Sequence, residues 1–296
     1  MIDHGSAIVT AGSCFSDNIG QKLSENKFRT LVNPLGVCYN PISIHKGLTM
    51  VAPDDDLYVE SQGTWRHFDF HSKFAAGSKD ELRKILNDQL RLVRDFRGDA
   101  LIITYGTAWV YKHKATDKIV ANCHKRPQGE FEKILLTPSQ VIESFEEFRA
   151  STKQRIVVTL SPVRHIKDTL ELNSVSKSIL RHSIYNFGDV DYFPAYEIMM
   201  DDLRDYRFYE RDMIHPSVVA IDYVWEKFGD RYFSAETKAL IEKWQKVLRS
   251  LNHRVFNLET NEHKEFLNRL LLDINELKQV INVSKEIEEL ELRLNG

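Results

Sequence analysis

Two short segments far apart in the chain carry residue types suited to acyl chemistry. Gly12-Ser13-Cys14-Phe15-Ser16 puts a small nucleophile where an apolar run, Ala7-Ile8-Val9-Thr10, gives way to an amphipathic helical pattern. Asp212-Met213-Ile214-His215-Pro216 puts a carboxylate and an imidazole three residues apart, at the entrance of another helix. A serine hydroxyl attacks a carbonyl well only when a neighbouring base takes its proton, and the base works best when a third group fixes its tautomer. Ser13, His215 and Asp212 are the types for those three roles. The amide of Ser13 belongs to a first helical turn, where unpaired N–H groups and the helix dipole favour a developing oxyanion. The plainer readings are a helix cap for Ser13 and a capped surface histidine for His215. Taken together, the two segments favour catalysis.

The elements that must carry these residues follow from periodicity. Phe15, Ile19 and Leu23 recur every four residues, one buried helical face after the first strand. Phe28–Val32 reads as a second strand, Lys79–Phe96 as an amphipathic helix, Ala100–Thr104 and Arg155–Leu160 as buried strands, and Val190–Phe193 as a last one. Thr137-Pro138 reads as an N-cap followed by proline at the first helical position. Short apolar strands alternating with helices predict an α/β fold of three layers, α/β/α, around a mostly parallel sheet. Ligands of such sheets bind beyond the carboxyl ends of the strands, the edge where Ser13, Gly106 and Ser161 fall. From Ser234 strand signals cease, and the stripes Leu240, Trp244, Val247, Leu248, Leu251 and Leu267, Leu270, Ile274, Leu277, Ile281 predict a helical hairpin. The expected division is therefore 1–233 for the α/β domain and 234–296 for a helical extension. The stripe is short and breaks near Ser284, which favours packing in cis, a monomer, over a self-association arm.

Gly-Ser-Cys-Phe at the end of the first strand and Asp-x-x-His-Pro-Ser late in the α/β region resemble the GSCFA family. Asn33-Pro34-Leu35-Gly36, Gly106-Thr107-Ala108-Trp109-Val110-Tyr111, Asn122-Cys123-His124-Lys125 and Ser161-Pro162-Val163-Arg164-His165 fit the same pattern. That family is similar to the SGNH (GDSL-like) hydrolases. The resemblance implies their fold and a serine esterase, with Ser13 as nucleophile and the amides of Ser13 and Gly36 as oxyanion donors. A further donor in the superfamily is an asparagine from a Gly-x-Asn-Asp block. Here the block reads Gly106-Thr107-Ala108-Trp109, so Asn122, Thr107 or the Trp109 indole must substitute, and Asn122 is the choice. Successive side chains at a helix start point about 100° apart. Ser13 facing His215 thus turns Cys14 away, and Cys14 is expected in the core.

Arg164, His165, Trp109 and Thr107 are candidates for binding substrate, with a solvated loop or core packing as the plain alternative. If Arg164 and His165 face the pocket, they suit a polyhydroxylated or anionic substrate better than a long acyl chain, for example an O-acyl group carried by a carbohydrate. An acyltransferase would use the same residues, and a non-catalytic carbohydrate-binding or assembly protein would keep the fold without them. Cys123-His124 and His67-x-Asp69-x-His71 lack the paired clusters of a zinc site, so neither metal nor cofactor is expected. The chain of 296 residues is 42% hydrophobic and 28% charged with net charge −3, ordinary for a globular protein and no match for nucleic acid. No apolar run approaches a membrane span. Three cysteines and no leader pattern point to the cytoplasm.

Overall fold

The structure, a computed structural model, describes residues 1–96, 98–252 and 260–295. Its first half alternates β1 (Ala7–Gly12), α1 (Cys14–Glu25), β2 (Arg29–Val32) and α2 (Pro41–Thr49), then a hairpin of β3 (Tyr58–Ser61) and β4 (Thr64–His67), then α3 (Lys79–Phe96). There follow β5 (Ala100–Tyr105), β6 (Trp109–His113), β7 (Lys118–Val120), β8 (Phe131–Leu135), α4 (Pro138–Ser151) and β9 (Arg155–Leu160). Next come α5 (Leu170–Tyr185), β10 (Asp191–Phe193), the single turn α6 (Ala195–Glu197) and α7 (Val218–Tyr232).

Five strands form one sheet in the order β10-β9-β5-β1-β2. β5 is parallel to both β1 and β9, and β9 to β10, with Ile103 paired to Ala11 on one side and Val158 on the other. Every residue of β5 is buried, as a central strand covered on both faces requires. One covering layer buries Val9, Leu101 and Ile103 of the sheet with Phe145 and Phe148 of α4 and Leu180 and Ile184 of α5. Each such side chain contributes about 1.5–3 kcal/mol when buried. The predicted cap is present: the Thr137 hydroxyl accepts from Gln140 N, the Gln140 side chain returns the bond, and Pro138 opens α4. The expectation of a three-layer α/β/α fold is met. Two small antiparallel sheets, β3-β4 and β7-β6-β8, were not anticipated. Leu57, Phe68, Val120 and Phe131 form a separate cluster among them.

The strand order places β2 on one side of β1 and β5 on the other. The chain leaves β1 towards β2 and later leaves β5 towards β9, in opposite directions, which makes the carboxyl ends of β1 and β5 the switch-point crevice where such sheets bind ligands. The turn carrying Ser13 and the turn carrying Gly106 are the lips of that crevice.

The chain divides into two compact units, one of Ala7–Gln21 and Thr30–Lys227, the other of Met1–Ser6, Lys22–Arg29 and Phe228–Gly296. The second unit contains α8 (Ala235–Leu251), α9 (Asn261–Leu277) and α10 (Ser284–Asn295), so the expected hairpin is in fact three helices. The break near Ser284 is the reason: Asn282 Oδ1 accepts from Ser284 N at 3.2 Å where α10 starts. Trp244, Leu270, Ile274, Leu277 and Leu290 share one core, while Leu248 is only partly buried. The Trp244 indole donates to Glu25 O at 2.7 Å, and Lys27 pairs with Glu286 at 2.5 Å.

Candidate active site

β1 ends on Gly12, whose φ of +139° and closeness to Thr104 only glycine permits; an added Cβ would lie 2.1 Å from the Thr104 carbonyl oxygen. That approach lets Ser13 N donate to Thr104 O at 3.1 Å, continuing the sheet one residue past the strand. The Ser13 side chain is fully buried, and its hydroxyl accepts from Phe15 N at 3.3 Å. Ser13 thus caps α1, and its amide is not free to hold an oxyanion. Gly36 is corrected likewise: its N–H donates to Asn33 O at 2.8 Å inside the turn after β2.

Cys14 departs from the expectation of a core residue. It is half-buried, with Sγ 3.4 Å from the Tyr39 hydroxyl. As the first residue of α1 it has no helical acceptor for its N–H, and no other acceptor is found among the described residues. Tyr39 spans the crevice: its carbonyl accepts from Gly106 N at 2.7 Å and Thr107 N at 3.0 Å. Its ring meets the edge of His165 at 5.2 Å. Gly106 has to be small here, since a Cβ would lie 2.9 Å from His165 Nε2 and 3.1 Å from the Tyr39 ring.

The second segment forms as predicted. His215 Nδ1 and Asp212 Oδ2 are 2.6 Å apart, and Asp212 Oδ1 accepts from Ile214 N at 2.9 Å and His215 N at 3.0 Å. The hydrogen bond from His215 and those two amides hold the Asp212 carboxyl at about 2, below its ordinary value. Nδ1 is thereby fixed as the nitrogen facing the carboxylate, and Nε2 has no protein partner among the described residues. Arg164 ties this loop to the end of β9, its N donating to Ile214 O and its Nη1 to Met213 O, each at 3.3 Å. The Arg164 guanidinium lies 4.0 Å over the Tyr209 ring. His165 is held neutral, its value lowered to about 3 by burial and by the charges of Lys177 and His215. Its Nε2 is buried without a hydrogen-bond partner.

The structure therefore joins Arg164 to the His215 loop, and Cys14 through Tyr39 to His165, the residue after Arg164. No hydrogen bond joins Ser13 to His215 among the described residues. Asn122 and Gly36 share a narrow cleft of about 30 Å³ with Gly12, Asn33 and His71, a cleft that His215 does not line. Asn122 donates to Ser72 Oγ at 3.3 Å and accepts from His124 N at 2.8 Å, which makes it a loop staple. The Thr107 hydroxyl is buried against Ser176 Oγ at 3.0 Å, and the Trp109 ring lies under Lys133 Nζ at 4.5 Å. Neither side chain hydrogen-bonds the His215 loop among the described residues.

Sequence reasoning missed Lys177. It is buried on α5 and donates to Gly106 O at 2.8 Å and Ser161 O at 2.7 Å, bracing the exits of β5 and β9. Burial lowers its value to about 7. The signal was present, because Lys177 stands three residues before Leu180 and seven before Ile184 on one buried face. Among the described residues no cluster of His, Cys, Asp or Glu is arranged for a metal ion, and no helix is long and apolar enough to cross a membrane.

The fold and crevice define a doubly wound α/β domain with a carboxylate–histidine pair at its carboxyl edge. The chain belongs to the GSCFA family, whose profile matches residues 7–228; a second profile, the C-terminal domain of GSCFA domain proteins, matches 244–296. No curated protein and no solved structure matches the chain.

Proposed function

We propose that this protein is an acyl hydrolase of SGNH type, which cleaves an O-acyl group from a carbohydrate. The observation that carries the reading is the His215–Asp212 pair at 2.6 Å, with Asp212 locked by two amides and His215 Nε2 left open. An imidazole so oriented takes a proton from a nucleophile and returns it to a leaving alcohol. The nucleophile comes from the Ser13-Cys14 turn, at the crevice where ligands of such sheets bind. The exposed Tyr206 ring and the Arg164 guanidinium, 5.5 Å apart beside the His215 loop, suit stacking on and hydrogen bonding to a sugar. An acyltransferase would run the same first step and pass the acyl group to an alcohol. A second reading, a carbohydrate-binding protein without turnover, is favoured by one observation: the amides of Ser13 and Gly36 are both engaged.

The test is hydrolysis of p-nitrophenyl acetate and of O-acetylated oligosaccharides by the purified chain and by His215→Ala. Turnover in the wild type that falls about 10³-fold or more in His215→Ala is expected. A folded wild type that releases no acyl group from any of these esters, yet retains an oligosaccharide, means the protein is the binder.

A further inference from the structure

We infer that the nucleophile of this site is Cys14 rather than Ser13, so that the reaction passes through a thioester. The inference rests on the acyl-transfer reading above and concerns only which atom attacks. Three independent features of the turn separate the two residues.

The first is access. Ser13 is fully buried beneath the turn while Cys14 is half-buried, beside the Tyr39 hydroxyl. A reacting carbonyl must come within about 3–3.5 Å of the attacking atom, which a side chain of zero exposure does not allow.

The second is hydrogen bonding. The Ser13 hydroxyl accepts from Phe15 N at 3.3 Å, as an N-cap does. Cys14 Sγ has the Tyr39 hydroxyl at 3.4 Å as its neighbour. Tyr39 in turn packs on His165, the neighbour of Arg164, whose N donates to Ile214 O in the His215 loop at 3.3 Å. Those contacts run from the sulfur to His165, whose chain neighbour Arg164 is hydrogen-bonded to the His215 loop, and no corresponding chain leaves the Ser13 hydroxyl.

The third is the oxyanion. The Ser13 amide is bonded to Thr104 O, whereas the Cys14 amide, at the N-terminus of the twelve-residue helix α1, has no acceptor among the described residues. An N–H at that position, aided by the helix dipole, is an oxyanion donor for attack by its own side chain. Thiol and donor therefore sit on one residue, in a register one position later than the sequence pattern implied.

The steps balance as follows. Cys14 Sγ forms a bond to the ester carbonyl carbon as His215 Nε2 takes the thiol proton, and the carbonyl electron pair moves to the oxygen facing Cys14 N–H. Collapse breaks the C–O bond, and the alcohol leaves with the proton from His215. Water then adds to the thioester with His215 again as base, the C–S bond breaks, and the acid and the free thiol are released.

Acid quenching of wild-type protein during turnover of p-nitrophenyl acetate, followed by peptide mass spectrometry, locates the acetyl group. Acetyl on Cys14, removed by hydroxylamine at neutral pH as thioesters are, is the expected result. Acetyl on Ser13, stable to that treatment, overturns the inference and leaves the hydrolase reading standing. Absence of both adduct and turnover ends the two together. Cys14→Ala, with its fold checked by circular dichroism, should lose about 10³-fold or more in turnover; turnover within a few-fold of wild type overturns the inference. Iodoacetamide gives a second readout. Burial holds the Cys38 and Cys123 thiols up at about 12 and about 11, so single alkylation at pH 8 should fall on Cys14 and abolish turnover. Alkylation of Cys14 with turnover intact also overturns it.

Discussion

In the turn after β1 the chain is held by backbone amides that reach across to neighbouring strands, whereas in the loop from Asp212 to His215 one carboxylate does the holding. Gly12 N bonds Asn33 Oδ1 at 2.8 Å and Ser13 N bonds Thr104 O at 3.1 Å, so the first turn is an extension of the sheet. The second is exposed, Asp212 and His215 each near 45% by side chain, and Asp212 alone supplies the acceptor for two amides and the ring. The two segments should therefore fail differently. Damage to the first is damage to the fold. Damage to the second removes the direction of one imidazole and leaves the sheet intact.

Asp212→Asn is the sharpest cut along that line and carries the largest expected effect. An amide in place of the carboxylate presents an N–H where an acceptor is needed and selects the wrong imidazole tautomer. In a Ser-His-Asp site that change lowers turnover by about 10⁴. The melting temperature should move by no more than a degree or two, because the pair is exposed and such pairs contribute little to stability. Ester turnover and a thermal melt on the same sample check both halves. A variant that unfolds, or one that keeps full turnover, breaks the contrast.

Gly12→Ala is the converse. A methyl 2.1 Å from Thr104 O, at a φ of +139° that other residues avoid, must push β1 from β5. Strain and overpacking of this kind cost roughly 3–5 kcal/mol. Urea denaturation should show a lower midpoint, with lost activity tracking the unfolded fraction. Wild-type stability in Gly12→Ala would mean that β1 and β5 separate more freely than the bonds across Gly12 and Ser13 imply.

How much of this was legible in the sequence follows the same divide. The buried strands β1, β5 and β9 announce themselves as apolar runs, and Thr137-Pro138 announces α4, because local patterning decides those elements. The Asp212–His215 pair was legible because its geometry is local, three residues on one turn. The state of Ser13 was not, since it depends on which amides β5 engages, a contact between residues about ninety positions apart in the chain. Residue types alone cannot show that a serine caps its helix while its neighbour lies beside the Tyr39 hydroxyl. The small antiparallel sheets escaped for a related reason. Trp109–His113 and Phe131–Leu135 pair across a connection with no compact turn signature. In the helical unit the spacing gave the buried stripes, while the turn after Leu277 divided one expected helix into two.

Lys177 belongs to neither segment, and it tests whether the crevice between them is braced. Its ammonium donates to the carbonyls that end β5 and β9, with no carboxylate beside it among the hydrogen bonds and ion pairs seen. Burial lowers it to about 7, against an ordinary lysine value of about 10.4 in the unfolded chain. Below about 7 both states hold the proton, and the full penalty of burying the charge is present. Between about 7 and 10 the unfolded chain binds a proton that the folded protein does not, so stability rises with pH over that window. Buried tyrosines act in the opposite sense above pH 10, when the unfolded chain ionises them first, which confines the useful range to pH 7–9. Wild-type protein should gain a few degrees in melting temperature across that range relative to Lys177→Met. The methionine variant keeps the volume and removes the titration, though it leaves the Gly106 and Ser161 carbonyls short of a donor and should melt lower throughout. Parallel slopes in the two proteins would show that Lys177 keeps an ordinary affinity for its proton, and that the exits of β5 and β9 are wetter than its burial suggests.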